Sequence, residues 1–256
     1  MNKALVQSLV KELANPDKPV ETLHVFRHWV AARVDRHAVV SIPEPAANML
    51  CRGNTDISHW LGQPVGEVVT EGFNSREVVH RAAAMACLNA GIRKPETTLI
   101  GDAIELLSAC VPYEPSCFIG HFDLAAQWRR SGYPVTIVEL APRPGDIHWN
   151  HADEPLENAS LVFITGLTLL NGTFHEVVRR TPNARARIIV GPTVPVSPCL
   201  FDYGIHVAGG TEVLDATRLL FYLQHGGTSM KKAPADTVRR FNIIQPNVNL
   251  EVSHVA

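Results

Sequence analysis

Past Pro115 the sequence alternates short apolar runs with stretches of helical periodicity, and this rhythm most constrains what the chain can fold into. The apolar runs fall at 117–120, 135–140, 161–165, 187–190 and 205–208, and helical stretches cover 123–131, about 173–180 and 212–225. Runs this short, bounded by Gly, Pro and Asn and separated by helices, predict a parallel sheet covered by helices. The expectation is an α/β protein whose C-terminal domain, 95–256, is a Rossmann-like three-layer parallel sheet.

Upstream the texture differs, and 1–94 reads as a smaller α+β domain. Segment 2–14 is a helix ended by Asn15-Pro16-Asp17. The stretch 22–42, rich in Val, Phe, Trp and His, suits a hairpin turning at Asp35-Arg36-His37, although His24, His28 and Ala32 also fit a helical face. Gly53, Gly62, Pro64 and Gly66 make 51–72 mostly loop, and Asn74 or Ser75 then caps a helix that closes at Gly91. The boundary falls near Lys94-Pro95, with DAIELLSACV as a connecting helix before Pro112 and Pro115.

Composition removes several function classes. Lys and Arg total 23 against 25 Asp and Glu, for a net charge of −2, without the basic excess that phosphate-backbone binding requires. No apolar run approaches the roughly 20 residues of a membrane span. The cysteines, Cys51, Cys87, Cys110, Cys117 and Cys199, are odd in number and hold no C-x-x-C pair, which predicts neither a disulfide framework nor a zinc knuckle. A cytoplasmic protein with a small-molecule ligand, no nucleic acid and no membrane is expected, self-association into a homo-oligomer being left open.

In an open parallel sheet the ligand crevice lies beyond the carboxyl ends of the strands. There the sequence places Gly120-His121-Phe122, Glu139, Thr165-Gly166 with Thr168, Asn171-Gly172-Thr173, and Gly191-Pro192-Thr193. Such residues also serve strand-to-helix turns through backbone geometry and capping, yet they recur after four successive strands. Glu139, at the end of the second strand, is where a ribose-binding acid sits in nucleotide-binding folds; the alternative is a solvated carboxylate or an ion pair with Arg143. The first loop lacks the G-x-G-x-x-G cradle for a pyrophosphate, which disfavours NAD and FAD. S-adenosylmethionine, with a ribose and no phosphate, fits better. No Walker A lysine and no G-x-S-x-G elbow occurs. His121 and Asn171 are the expected catalytic residues, Asn171 with Thr168 and Thr173 holding the polar tail or a second substrate. The expected cofactor contacts are Gly120, Phe122, Glu139, Thr165, Gly166, Thr168, Gly172, Thr173, Gly191, Pro192 and Thr193.

Metal binding has two sequence candidates. His24 and His28 are spaced for one helix face, but no H-E-x-x-H accompanies them. His148 and His151 sit near Asp146, Asp153 and Glu154 in a stretch that reads as a loop. No intrinsic metal is expected at His148 and His151, because nothing rigid in the sequence fixes those rings, and the possible strand around His24 and His28 disfavours one there.

The segments ITGLTLLNGTF (164–174) and GPTVPVSPCLFDYGIHVAGGTEVLD (191–215), with IGHF and VELAP upstream, resemble the heavy-metal-chelation family also called DUF364. CRGNTDISHWLGQPVGEVV and NSREVVHRAAAMACLNA resemble the enolase-N-terminal-like DUF4213 domain that usually precedes it. The resemblance implies a Rossmann-like C-terminal domain after an α+β one. Its matching positions, which also include Pro195, hold no soft metal ligand. The favoured function is an enzyme or enzyme-like binder of a nucleoside-containing molecule. The rival is a non-catalytic binder of a heavy metal or metal chelate.

Overall fold

The computed structural model describes residues 2–43, 56–246, 248 and 250. It has a mixed α/β architecture, with a mostly parallel eight-stranded sheet and a separate small antiparallel sheet.

The small sheet comprises β1 (Thr22–Val25), β2 (Trp29–Arg33) and β3 (His37–Ser41) in that order. The hairpin turn falls at 34–36 as expected, but a further strand precedes it. His24 therefore lies in β1 and His28 in the connecting turn, so the two imidazoles share no helix face. Both faces of β2 are covered. Trp29 and Ala31 pack with Leu219 and Leu223, while Val30 and Ala32 join the large cluster that includes the Val78–Gly91 helix. A strand buried on two sides loses its polar alternation, which is why this stretch could be read two ways.

The expected loop over 51–72 is corrected in its second half; 51–55 lie outside the described residues. Val65–Asn74 is a helix burying Val65, Val68, Val69, Gly72 and Phe73, a 3.6-residue stripe. Pro64 stands at its N-cap position, so the breakers mark its beginning. Gly72 permits close packing, because a Cβ there would lie 2.9 Å from the Trp60 ring and closer still to the Ala84 methyl. The next helix begins at Val78, and the Ser75 hydroxyl accepts the Glu77 N–H at 3.1 Å in the turn before it.

The large sheet runs β4 (Leu99–Ile100), β11 (Val238–Ile244), β10 (Val207–Val213), β9 (Ala186–Val190), β8 (Leu161–Thr165), β5 (Ser116–Ile119), β6 (Val135–Glu139) and β7 (Ile147–His148). From β10 to β7 neighbouring strands are parallel, and β11 is antiparallel to both β10 and β4. The chain moves outward from β5 through β6 to β7, then returns beside β5 at β8 and continues through β9 to β10. The order reverses between β5 and β8. Two further boundaries differ from expectation. Residues 212–213 extend β10, and the following helix is Ala216–Gln224, with the Asp215 carboxylate accepting the Arg218 N–H at 3.0 Å as its cap. The 148–151 stretch is not loop, since His148 ends β7 and Trp149–His151 form a 3-10 turn.

Alternate residues of β5 enter different cores. Cys117 and Ile119 join the cluster holding Leu169, Leu170 and Phe174 from the helices Leu167–Asn171 and Phe174–Arg180. Phe118 faces Ala125 and Ala126 of the Asp123–Arg130 helix and Ile104 of Ala103–Leu106. The first cluster also contains Leu5, Leu9, Trp60 and the alanine face of Val78–Gly91. One core therefore crosses the position near 94 where the texture of the sequence changes. Among the described residues no helix is long and apolar enough to cross a membrane.

Candidate functional site

A cavity of about 300 Å³ opens beyond the carboxyl ends of β5 and β9 and beside β10 and β11. His121 and Phe122 come from the loop after β5, Gly191 and Pro192 from the loop after β9, and Asn242 and Arg240 from β11. The antiparallel sheet contributes Trp29 and Ser41, and Thr228–Lys231 complete the rim. Cross-links fix these segments. The Trp29 indole N–H donates to the Gly227 carbonyl at 2.8 Å, and the Ser41 and Thr193 hydroxyls lie 2.9 Å apart. The Asn89 amide donates to the Pro192 carbonyl at 3.2 Å from behind. Asn242 is buried and its amide donates to the Gly101 carbonyl at 2.8 Å and the Leu99 carbonyl at 3.3 Å, which holds β4 and the Gly101-Asp102 turn against the wall.

The lining mixes apolar surface, from residues such as Trp29, Phe122, Leu124 and Val190, with polar groups of both signs. The Asp102 carboxylate accepts the Ile104 N–H at 3.0 Å and pairs with Arg240 at 3.1 Å. Lys231 Nζ lies 3.8 Å from the exposed Asp123 carboxylate, a separation at which the ion pair is solvent-screened and weak. His121 adds an imidazole whose Nδ1 is buried with no hydrogen-bond partner.

A second, smaller groove of about 40 Å³ lies on the β6 side of the same loop. It brings together Gly120, Glu139, Thr165, Thr168, Asn171 and Thr173, with Trp149 beside them. The residues expected at one site thus divide between two neighbouring depressions, with His121, Phe122, Gly191 and Pro192 on the larger. Gly166, Gly172 and Thr193 line neither. Gly166 is a packing position, because a Cβ there would lie 2.9 Å from Val194 Cγ2. Gly172, at φ +85°, closes the Leu167–Asn171 helix, and Thr193 is buried with its hydroxyl committed to Ser41. Thr173 stands at the N-cap position of the Phe174–Arg180 helix, without a side-chain cap bond, and Asn171 ends the preceding helix. The Asn171 side-chain carbonyl accepts both the Thr173 N–H at 3.0 Å and its hydroxyl at 2.7 Å. Asn171 and His121 line different depressions. Thr168 donates to the Thr165 carbonyl at 2.8 Å, and Glu139 Oε2 accepts the Leu140 N–H at 3.2 Å.

Sequence reasoning missed Asp102, Lys231, Arg240, Asn242 and Trp29. The Asp before AIEL was a readable cap signal, but nothing local tells which cap faces a cavity. Strand β11 was not foreseen, so its polar residues had no place.

The family model of DUF364, described as "putative heavy-metal chelation", matches residues 102–239. The chain belongs to the DUF364 family. An uncharacterized protein of Methanocaldococcus jannaschii is 41% identical over 76 residues, a match spanning 29% of this chain and 29% of that one. Among solved structures, a DUF364 protein of unknown function from Desulfitobacterium hafniense DCB-2 superposes with TM-score 0.79 at 19% identity, covering 94% of this chain and 97% of the other. One from Pyrococcus horikoshii gives 0.72 at 15%, covering 94% and 98%. At these identities the likeness is one of fold.

The family description raises a heavy metal, and the donors do not fit one. Among the described residues no three His, Cys, Asp or Glu side chains converge. His148 and His151 have ring centroids 5.9 Å apart, but the His148 Nδ1 already accepts the Asn150 N–H at 3.1 Å. Soft metals want thiolates. Burial pushes the Cys87 and Cys117 thiols up to about 12, and burial, countered in part by the Ser197 hydroxyl, takes Cys199 up to about 11.

Proposed function

We propose that this DUF364 protein binds a small polar organic molecule in the 300 Å³ cavity, as an enzyme or enzyme-like binder. One observation carries the reading: a concavity at strand carboxyl ends into which Asp102, His121, Lys231, Arg240 and Asn242 converge. Ligand sites of this size and mixed lining concentrate at such positions in α/β sheets. The finer fold assignment belongs with it, namely a Rossmann-like domain over 95–256 and an enolase-N-terminal-like, DUF4213-type domain over 1–94. The reversal of strand order beside β5 supports the first, and the antiparallel sheet packed with two helices is consistent with the second.

A Cβ on Gly191 would meet nothing within 4 Å, but its φ of +125° strains any side chain, so Gly191→Leu adds bulk at the cavity border at a backbone cost that a melting curve of the variant must show it survives. In native mass spectra of gently purified protein we expect a retained small organic molecule in the wild type and its loss in Gly191→Leu. An empty wild-type cavity, or an equal load in the variant, would count against the reading.

A nucleoside ligand, S-adenosylmethionine being the best guess, is the second reading, supported by the convergence of Glu139, Gly120 and Thr165 on the smaller groove. At about 40 Å³ that groove takes a functional group and not a nucleoside; the diol would reach Glu139 with the rest of the molecule outside it. Glu139→Ala then weakens S-adenosylmethionine binding by about 1.5–3 kcal/mol, or roughly 10- to 150-fold, in calorimetry. Unchanged affinity, or no binding by the wild type, removes the nucleoside. The rival metal-chelate binder has the family description in its favour and no donor cluster among the described residues.

A further inference from the structure

Behind His121 stands a carboxylate that the cavity itself does not reach. The Asp146 side chain is fully buried, with Oδ2 3.8 Å from His121 Nδ1. It is held from two sides, because Arg129 Nη1 donates to Oδ1 at 2.9 Å and the Arg143 backbone N–H donates to Oδ2 at 3.0 Å. Arg129 also donates to the Gly145 carbonyl at 2.6 Å, fixing the turn that carries Asp146. The His121 ring bridges these groups and the cavity. Its Nδ1 is buried and unpartnered, its side chain is 19% exposed, and the residue lines the cavity wall.

We propose that His121 presents an unprotonated Nε2 to the cavity as its proton acceptor, and that Asp146 is the positioning residue that keeps the ring proton on Nδ1. A carboxylate offers only acceptor oxygens. A bare Nδ1 lone pair facing Asp146 would be repelled, whereas an Nδ1–H is attracted. A neutral imidazole carries one proton, so placing it on Nδ1 leaves the lone pair on Nε2. The same logic orients histidines in hydrolase triads and behind metal ligands. The proposal rests on the cavity being the ligand site. Its ligand carries an acidic O–H or N–H at the His121 wall. The proton passes to Nε2, the bonding electron pair stays on the ligand heteroatom, and the imidazolium formed keeps its Nδ1–H toward Asp146.

The test needs no ligand. Nitrogen-15 spectra of histidine-labelled protein, at a pH where the ring is neutral, should show His121 as the Nδ1–H tautomer with a pyridine-type Nε2. Asp146→Ala should abolish that preference, and Asp146→Asn should not fully restore it, because its amide NH2 must face one of the two N–H donors that now bind the carboxylate. Diethyl pyrocarbonate, which acylates unprotonated imidazole nitrogen, should modify His121 in the wild type. A wild-type Nε2–H tautomer, or an Nε2 that resists acylation, would overturn the proposal, and both readouts use the unmutated protein. Failure of the small-molecule reading looks different: an empty native spectrum with the tautomer and acylation intact.

Discussion

Phe163→Ala should lower the unfolding free energy by about 3–5 kcal/mol, the cost of deleting a fully buried aromatic ring and leaving a cavity. Phe163 is completely buried at the centre of β8. Its ring lies 4.4 Å from that of Phe118 at an interplanar angle of 8°, and Phe118 meets Phe122 and Trp128 edge-on at 5.7 and 6.0 Å. For a chain of this length each kcal/mol moves Tm by about 2–4 °C, so the melting point should fall by roughly 6–20 °C. Phe122 borders the ligand cavity, and the loss therefore reaches the site through a short chain of rings. A loss below about 1 kcal/mol in urea titration would mean that the sheet collapses around the missing ring.

The second large effect concerns thiols. With Cys87 and Cys117 pushed up by burial to about 12 from an ordinary 9.0, their thiolate fraction at neutral pH falls on the order of a thousandfold. Iodoacetamide should alkylate these two residues at least about a thousandfold more slowly in the native chain than in urea, and peptide mapping reads each separately. Labelling of either at the unfolded rate would refute the burial. The sign of the pH dependence follows. Above pH 9 the unfolded chain loses thiol protons that the folded chain keeps, so stability falls with rising pH up to about 12. A native uptake of soft metal through these thiols is disfavoured for the same reason.

The parallel sheet was legible because β5, β6, β8 and β9 are apolar runs between turn residues, a pattern that buried parallel strands produce, whereas the two-residue β7 carries no such run. What sequence reading missed has physical reasons. Val65–Asn74 was hidden by Gly and Pro, which mark helix starts and tight helix contacts as well as loops. Strand β11 has Arg239 and Arg240 at its start and Asn242 at its centre, so its apolar pattern is broken where it meets the site. Residues after the strands were correctly placed at one edge, but edge position alone does not say which depression a side chain enters. Gly166 and Thr193 carry the right residue types and serve packing. Arg240 and Lys231, which also border the cavity, lie outside the post-strand segments that the sequence singles out.

The cavity wall also has a bearing on inheritance. Residues 102–239 carry the family match, yet Trp29, Ser41, Gly101, Arg240 and Asn242 of the wall lie outside that span. Gene recombination that exchanged the matched segment alone would deliver a sheet with an incomplete binding surface and with its Thr193 hydroxyl stripped of the Ser41 contact. Trp29 and Ser41 are hydrogen-bonded to Gly227 and Thr193, more than a hundred positions away, so the proposed site needs the small antiparallel sheet as well as the matched segment.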